Sequence, residues 1–241
     1  MTVARLMSWA MTHPGMKRKH NEDTYVDRAD LGIWAVADGA GGHQAGEVAS
    51  GMLREALEAI PSGLSASELL AQVRMRVEGT HAALRDLAMQ QGPDVTVAST
   101  IVVLMARGEF FACLWAGDSR AYLLRDGAMQ QITRDHSLVQ ELVDAGAIRP
   151  EEAESHPRAN VITRAVGADL DDFALDKVSG RLQAGDRFLL CSDGLSKTLP
   201  EDQIAGLLGA HNGVPPPQSL VGAALAMNAT DNVTAVMVEA Q

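Results

Sequence analysis

Apolar positions along this chain recur with two periods, and the switches between them divide it into elements. Residues 32–38 (GIWAVAD) make a continuous apolar run of strand length that ends in Asp-Gly. After a glycine-rich turn, Val48, Ala49, Met52, Leu53, Ala56, Leu57 and Ile60 fall at helical spacing, and Pro61 closes that helix. Ser65 with Glu68 reads as a capping box, in which each residue covers a free backbone N–H of the other. The helix it opens carries a stripe of Leu69, Leu70, Val73, Val77, Leu84 and Leu87. From Ala98 the texture becomes strand-like: STIVVLMA, EFFACLWA and SRAYLLRDG follow one another through the short turns ARGE and AGD, which predicts an antiparallel meander. Asp126-Gly127 reads as a hairpin turn. Ser137 and Gln140 open a short helix that Gly146 ends, and Pro150 starts another. The stretch 145–164 is polar and irregular and predicts a mobile surface flap. Strands are expected at 173–178 and 187–192, helices at 200–208 and 218–228, and a last strand at 233–238.

Composition sets the kind of core. Aromatic residues are 4% of the 241 and apolar residues 46%, so the core must be aliphatic, filled by Ala, Val, Leu and the 11 Met. A single domain over 1–241 is expected, because the only candidate linker, 214–217, is too short and too late to bound one. The formal charge of -11 argues against nucleic acid as a partner, since no basic surplus is present to neutralise phosphates. Cys113 and Cys191 sit inside apolar runs and read as buried free thiols of a reducing compartment. The first residues lack an uninterrupted apolar segment, and no apolar run approaches the roughly 20 residues that span a bilayer. A cytoplasmic protein without membrane insertion is expected.

Three aspartates close apolar strands: Asp38 (WAVADG), Asp118 (CLWAGD) and Asp193 (LLCSDG). A fourth, Asp231, precedes the final strand (ATDNVTAVMV). Carboxylates beside buried strands are costly unless their charge is compensated. Oxygen-only clusters suit Mg2+ or Mn2+, which bind through a few carboxylates and keep several waters. On residues alone, a metal site and scattered turn acids stand as equal readings.

The order of the motifs separates them. RKHNED at 18–23, VADGAGGHQAGEVAS at 36–50, AGDSRAYLLRDG at 116–127, ITRDHS at 132–137, VITRAVG at 161–167, CSDGL at 191–195 and TDNVTAVMV at 230–238 together resemble the metal-dependent protein phosphatases of the 2C (PPM) type in their compact bacterial form. The resemblance implies an α+β fold: a four-layer α-β-β-α sandwich, two antiparallel sheets face to face with helices on both outer faces. It implies a protein serine/threonine phosphatase that opposes a bacterial Ser/Thr kinase. Asp38 would bridge two Mn2+ or Mg2+ ions with the Gly39 carbonyl, and Asp193 and Asp231 would complete that pair of sites. Asp118, helped by Asp193, would hold a third, weaker ion. Glu22 and Asp23 would accept hydrogen bonds from metal-bound waters. Arg18 matches the family's phosphate-binding arginine, whose fork meets two phosphate oxygens at once. A water shared by two dications is acidic enough to act as the nucleophile, in line with the leaving Ser or Thr oxygen.

One position departs from the pattern. Eukaryotic relatives carry histidine directly after the first Asp-Gly, where this chain has Ala40. The proton donor is then a metal-bound water or His43, which reads also as a loop residue shaping substrate entry. His136 reads as a turn organiser, His20 has no assigned role, and Cys191 reads as core rather than nucleophile. Gly41, Gly42 and Gly46 read as structural. The words around GGHQAGEVAS also resemble phosphatases of type VI secretion gene clusters, whose partners would be a membrane kinase and a forkhead-associated protein. Phosphorylated proteins are the expected substrates and a monomer the expected state. The alternatives are a catalytically weak regulatory or binding module that kept the fold, and a different two-metal hydrolase such as a nuclease, which the charge and the few aromatics disfavour.

Overall fold

The computed structural model describes residues 5–41, 45–92, 95–168, 173–210 and 213–241. The first half runs β1 (Leu6–His13), β2 (Asp23–Arg28), β3 (Ile33–Gly41), α1 (Ala45–Glu58), α2 (Ala66–Gln91), β4 (Val97–Ser99), β5 (Ile101–Arg107) and β6 (Phe110–Ala116). The second runs β7 (Arg120–Arg125), β8 (Ala128–Gln131), α3 (Leu138–Asp144), α4 (Pro150–Ala153), β9 (Asp176–Arg181), β10 (Arg187–Cys191), α5 (Asp193–Ser196), α6 (Glu201–Gly209), α7 (Pro216–Ala226) and β11 (Val233–Ala240).

Among the described residues the strands form two antiparallel sheets, ordered β1-β11-β10-β7-β8 and β2-β3-β5-β6-β9, with β4 paired to β3. The strand period of two explains the layers. In β3, Ile33, Ala35 and Ala37 pack against α1 and α2 with Leu53, Leu57, Val73 and Val77. The alternate residues Trp34 and Val36 meet Phe188, Leu190, Val236 and Val238 of the facing sheet. On that sheet's other face, Leu189, Ala235 and Met237 pack against Ile204, Leu208, Leu220 and Val221 of α6 and α7. Three apolar layers therefore separate four layers of structure, the α-β-β-α sandwich that the resemblance implied. Truncating a fully buried side chain such as Leu53 to Ala costs about 2–5 kcal/mol in such a core.

Several local expectations hold for the stated reasons. Ser65 Oγ accepts from the Glu68 N–H at 3.3 Å while Glu68 Oε2 accepts from the Ser65 N–H at 2.8 Å, closing the capping box of α2. Asp126 and Gly127 have φ of 51° and 79° and join β7 to β8, the left-handed pair a two-residue hairpin requires.

The expected meander breaks at AGD. β6 pairs with β5 and β9, whereas β7 pairs with β10 and β8 of the other sheet. The turn crosses between sheets, which Gly117 permits: its φ is 117°, and a Cβ there would lie 2.5 Å from the Thr100 Cβ. Strands β1 and β2 were not anticipated, because Ser8 interrupts the apolar residues of β1 and only Tyr25 and Val26 are apolar in β2. They are the edge strands of the two sheets, β1 paired with β11 and β2 with β3, and they lie beside each other, Ser8 Oγ donating to Asp27 Oδ1 at 2.8 Å. The strand expected at 173–178 is displaced to β9, which is largely polar because it too is an edge.

Candidate active site

At one end of the sandwich the residues between the sheets change from apolar to polar together. The series Trp34, Val36 in β3 continues to Asp38. Leu104 and Val102 in β5 lead back to Thr100, Phe188 and Leu190 in β10 lead on to Ser192, and Val238 and Val236 in β11 lead back to Thr234. Strand β2 adds Asp23, whose register partner is Asp38. Period two thus delivers a polar floor from five strands to one edge.

Asp23 is buried, 5% exposed. Its Oδ2 accepts from Ser192 Oγ at 2.7 Å and from Thr234 Oγ1 at 2.7 Å. Thr234 is in turn held by Thr12, and Thr12 by Asn21 Nδ2 at 2.8 Å. Burial raises the Asp23 carboxyl to about 7, the two hydroxyls opposing the rise and Asp193 and Asp231 adding to it. Asp38 lies partly exposed beside it. Its carboxyl is pushed well above the ordinary range by loss of water and then by the charges of Asp23, Asp193, Asp118 and Asp231. Backbone bonds fix it: the Thr100 N–H donates to the Asp38 carbonyl at 2.8 Å, and the Asp38 N–H to Thr100 Oγ1 at 3.2 Å.

Gly39 is required by close approach. A Cβ at that position would lie 2.1 Å from the Gly46 carbonyl oxygen, where the start of α1 presses on β3. A Cβ on Gly46 would likewise stand 2.8 Å from Glu22 Oε1. Glu22 is raised by burial, and the Arg18 charge opposes that. Arg18 Nη2 donates to Asp231 Oδ2 at 2.8 Å, both side chains open to solvent. Asp118, 3% exposed, and Asp193 share the Lys197 ammonium, with Nζ 3.0 Å from Asp118 Oδ2 and 2.8 Å from Asp193 Oδ2. Burial and Asp193 nevertheless raise the Asp118 carboxyl against the pull of Lys197.

These groups line a polar cleft of about 470 Å³ that includes Arg18, Glu22, Asp38, Asp118, Asp193 and Asp231. The structure therefore brings every carboxylate singled out in the sequence to one place, with Arg18 on the rim and Ala40, exposed, at the end of β3. His43 and Gly42 lie outside the described residues. His136 Nδ1 accepts from the Gly117 N–H at 3.2 Å and shapes the turn before Asp118. Cys191 is buried in the layer against the helices, its thiol pushed up to about 12 by burial. The irregular stretch 145–164 is tied down near its end, where the Leu138 N–H donates to the Val161 carbonyl at 2.9 Å.

Four contributors escaped the sequence reading. Ser192 and Thr234 had a signal, since each continues an inward apolar series. Asn232 had none: its side chain accepts from the Glu22 N–H at 2.8 Å and donates to the carbonyls of Pro14 and His20 at 2.9 and 3.0 Å, holding the 14–22 loop over the acids. Lys197 likewise had none.

Among the described residues no three carboxylate, imidazole or thiol groups converge into a cage for an ion by themselves. Arg18 and Lys197 turn three of the aspartates toward themselves instead. The donor set still fits hard dications, which take one or two carboxylates and fill the rest of their shell with water. Glu22 Oε1 and Asp23 Oδ1 are buried oxygens without a hydrogen-bond partner, and such atoms call for a cation or an ordered water. Asp38, Gly39, Asp193 and Asp231 line the same cleft. The position between Asp118 and Asp193 fits a further ion poorly, because Lys197 already stands in it.

Comparison with known proteins agrees with this geometry. Residues 17–212 match the family model described as protein phosphatase 2C. The chain is 38% identical to the serine/threonine protein phosphatase PstP of Mycobacterium tuberculosis over 95% of its own length, but spans only 44% of that longer protein. It is 32% identical to the serine/threonine phosphatase Stp of Listeria welshimeri, covering 95% of this chain and 93% of the relative. Among solved structures, PppA, described as a key regulatory component of T6SS in Pseudomonas aeruginosa, superposes with a TM-score of 0.91 at 40% identity over 99% of both chains. The PstP catalytic domain in complex with two manganese ions superposes with a TM-score of 0.87 at 35% identity, again over 99% of both.

Proposed function

The chain belongs to the protein phosphatase 2C family, and we propose that it is a metal-dependent phosphatase acting on phosphoserine and phosphothreonine in proteins. The observation that carries this reading is the gathering of Asp23, Asp38, Asp118, Asp193 and Asp231 at one sheet edge, beyond what Arg18 and Lys197 can neutralise. Two Mn2+ or Mg2+ ions held by Asp38, the Gly39 carbonyl, Asp193 and Asp231 would supply an acidified water and neutralise phosphoryl charge.

The chain's own residues do the rest. Asp38 is held rigid by Thr100 on both its backbone N–H and its carbonyl, so its carboxylate keeps one place on the cleft floor. Glu22 and Asp23 stand behind it with free oxygens that orient water. Arg18 is 52% exposed, so its guanidinium can leave Asp231 and meet two phosphoryl oxygens. Ala40 offers no proton, so the departing Ser or Thr oxygen would be protonated by water in the cleft or by His43. The whole chain acts as one catalytic domain, with 145–164 as a flap beside the cleft.

The substrates on this reading are proteins phosphorylated by a Ser/Thr kinase. The likeness to PppA supports a place in the regulation of type VI secretion, where a membrane kinase and a forkhead-associated protein would be the partners. No described helix is long and apolar enough to cross a membrane. The reading is tested by phosphate release from phosphoserine and phosphothreonine peptides with and without Mn2+. Turnover that persists in excess chelator, or that Asp38→Asn leaves intact, would overturn it.

A further inference from the structure

We propose that Lys197 is a resident cation at the Asp118–Asp193 position, excluding a third metal ion there and anchoring the 145–164 segment to the cleft. This rests on the two-ion reading above and goes beyond it. An ammonium carries three N–H donors and no acceptor. Lys197 directs all three to oxygens: Asp118 Oδ2 at 3.0 Å, Asp193 Oδ2 at 2.8 Å and Asn160 Oδ1 at 3.2 Å. The three acceptors come from separate parts of the fold, namely the turn between β6 and β7, the start of α5 and the 145–164 segment.

The placement follows from α5. Lys197 lies four residues after Asp193, and its N–H donates to the Asp193 carbonyl at 2.8 Å, so one helical turn stacks the two side chains. The side chain is only 30% exposed, which limits screening of its charge by solvent. A dication entering this position would have to displace a fully bonded ammonium and would meet its positive charge at close range. Asp118 Oδ1 remains buried without a partner, so the position keeps ligating capacity that Lys197 does not satisfy. Removing the ammonium should therefore open the position to an ion instead of leaving it inert. Lys197 is a positioning residue: it acts through the two aspartates and Asn160.

Mn2+ stoichiometry by calorimetric titration, and hydrogen exchange of residues 150–161 in metal-free protein, read the two halves separately. The wild type is expected to bind two ions, Lys197→Arg two, and Lys197→Met three, the third weakly and lost again in Lys197→Met/Asp118→Asn. Exchange over 150–161 is expected to rise several-fold in Lys197→Met and to stay low in Lys197→Arg. A third ion bound by the wild type and removed by Asp118→Asn would overturn the exclusion, and unchanged exchange in a folded Lys197→Met would overturn the anchor. A wild type that binds no Mn2+ would refute the two-ion reading and the exclusion with it, while exchange would still decide the anchor.

Discussion

Asp186 and Asp23 are both buried acids of the same sandwich, and they are compensated in opposite ways. Asp186, 1% exposed, receives Arg125 through two bonds of 2.7 and 2.6 Å and the Gln183 N–H at 2.8 Å. Asp135 is treated alike, with Arg120 Nε and Nη2 on its oxygens at 3.0 and 2.8 Å. These acids have brought their own cations. Asp23 meets only hydroxyls on Oδ2 and nothing on Oδ1, and its nearest charges are other carboxylates. A buried charge with a bidentate partner holds structure together; a buried charge without one is a standing strain that a ligand relieves. The sandwich tolerates the second kind at one edge because three apolar layers stabilise it elsewhere.

The sharpest way to break the comparison is at Asp38. Asp38→Asn should lower phosphopeptide turnover by about a thousand-fold, roughly 4 kcal/mol of transition-state stabilisation. The melting temperature of the metal-free protein should not fall, because one charge has left a repulsive cluster. A large drop in melting temperature would place Asp38 with Asp186 instead.

Asp186→Ala should do the reverse. Stranding Arg125 and the Gln183 N–H costs about 2–4 kcal/mol in urea unfolding, with turnover per folded molecule retained. Equal stability to wild type would show that bidentate pairing is not what distinguishes the two classes.

Asp23 allows a pH test. Its folded carboxyl, raised to about 7, binds its proton more tightly than the unfolded one with an ordinary value of 3.8. Its contribution is fully present below the unfolded value and is lost as pH rises toward and through 7. Metal-free wild type should therefore weaken between pH 4 and 8, and Asp23→Asn should exceed it by about 1–2 kcal/mol at pH 8, with the gap narrowing as pH falls and closing only near pH 4. Thermal melts across that range decide it; a gap independent of pH would remove Asp23 from the strained class.

The smallest effect belongs to an exposed pair. Arg134 and Asp144 are bonded at the surface, 63% and 39% exposed. Asp144→Ala should change stability by less than about 1 kcal/mol, and added salt should erase the difference.

Much of this was legible without coordinates. The helical stripe of α2 and its Ser65–Glu68 cap depend on neighbours within a turn or two, and so does the Asp126-Gly127 hairpin. The cleft acids were visible as aspartates beside apolar strands, and a full reading of period two would have added Thr100, Ser192 and Thr234 to the same face. The edge strands β1 and β2 were missed because no uninterrupted apolar run of strand length marks them.

The sequence by itself determined where the inner strands and the long helices fall, which face of those strands is apolar, and which acids stand beside the apolar series. Those properties are periodic and local. Only the tertiary structure decided that β7 leaves the sheet of β6, that Asn232 holds the 14–22 loop, and that Asp23 is grasped by Ser192 and Thr234, 169 and 211 residues away. It also decided that Lys197 stands between Asp118 and Asp193. No local period encodes such meetings, because they depend on how two sheets stack and on the acids that stacking forces together.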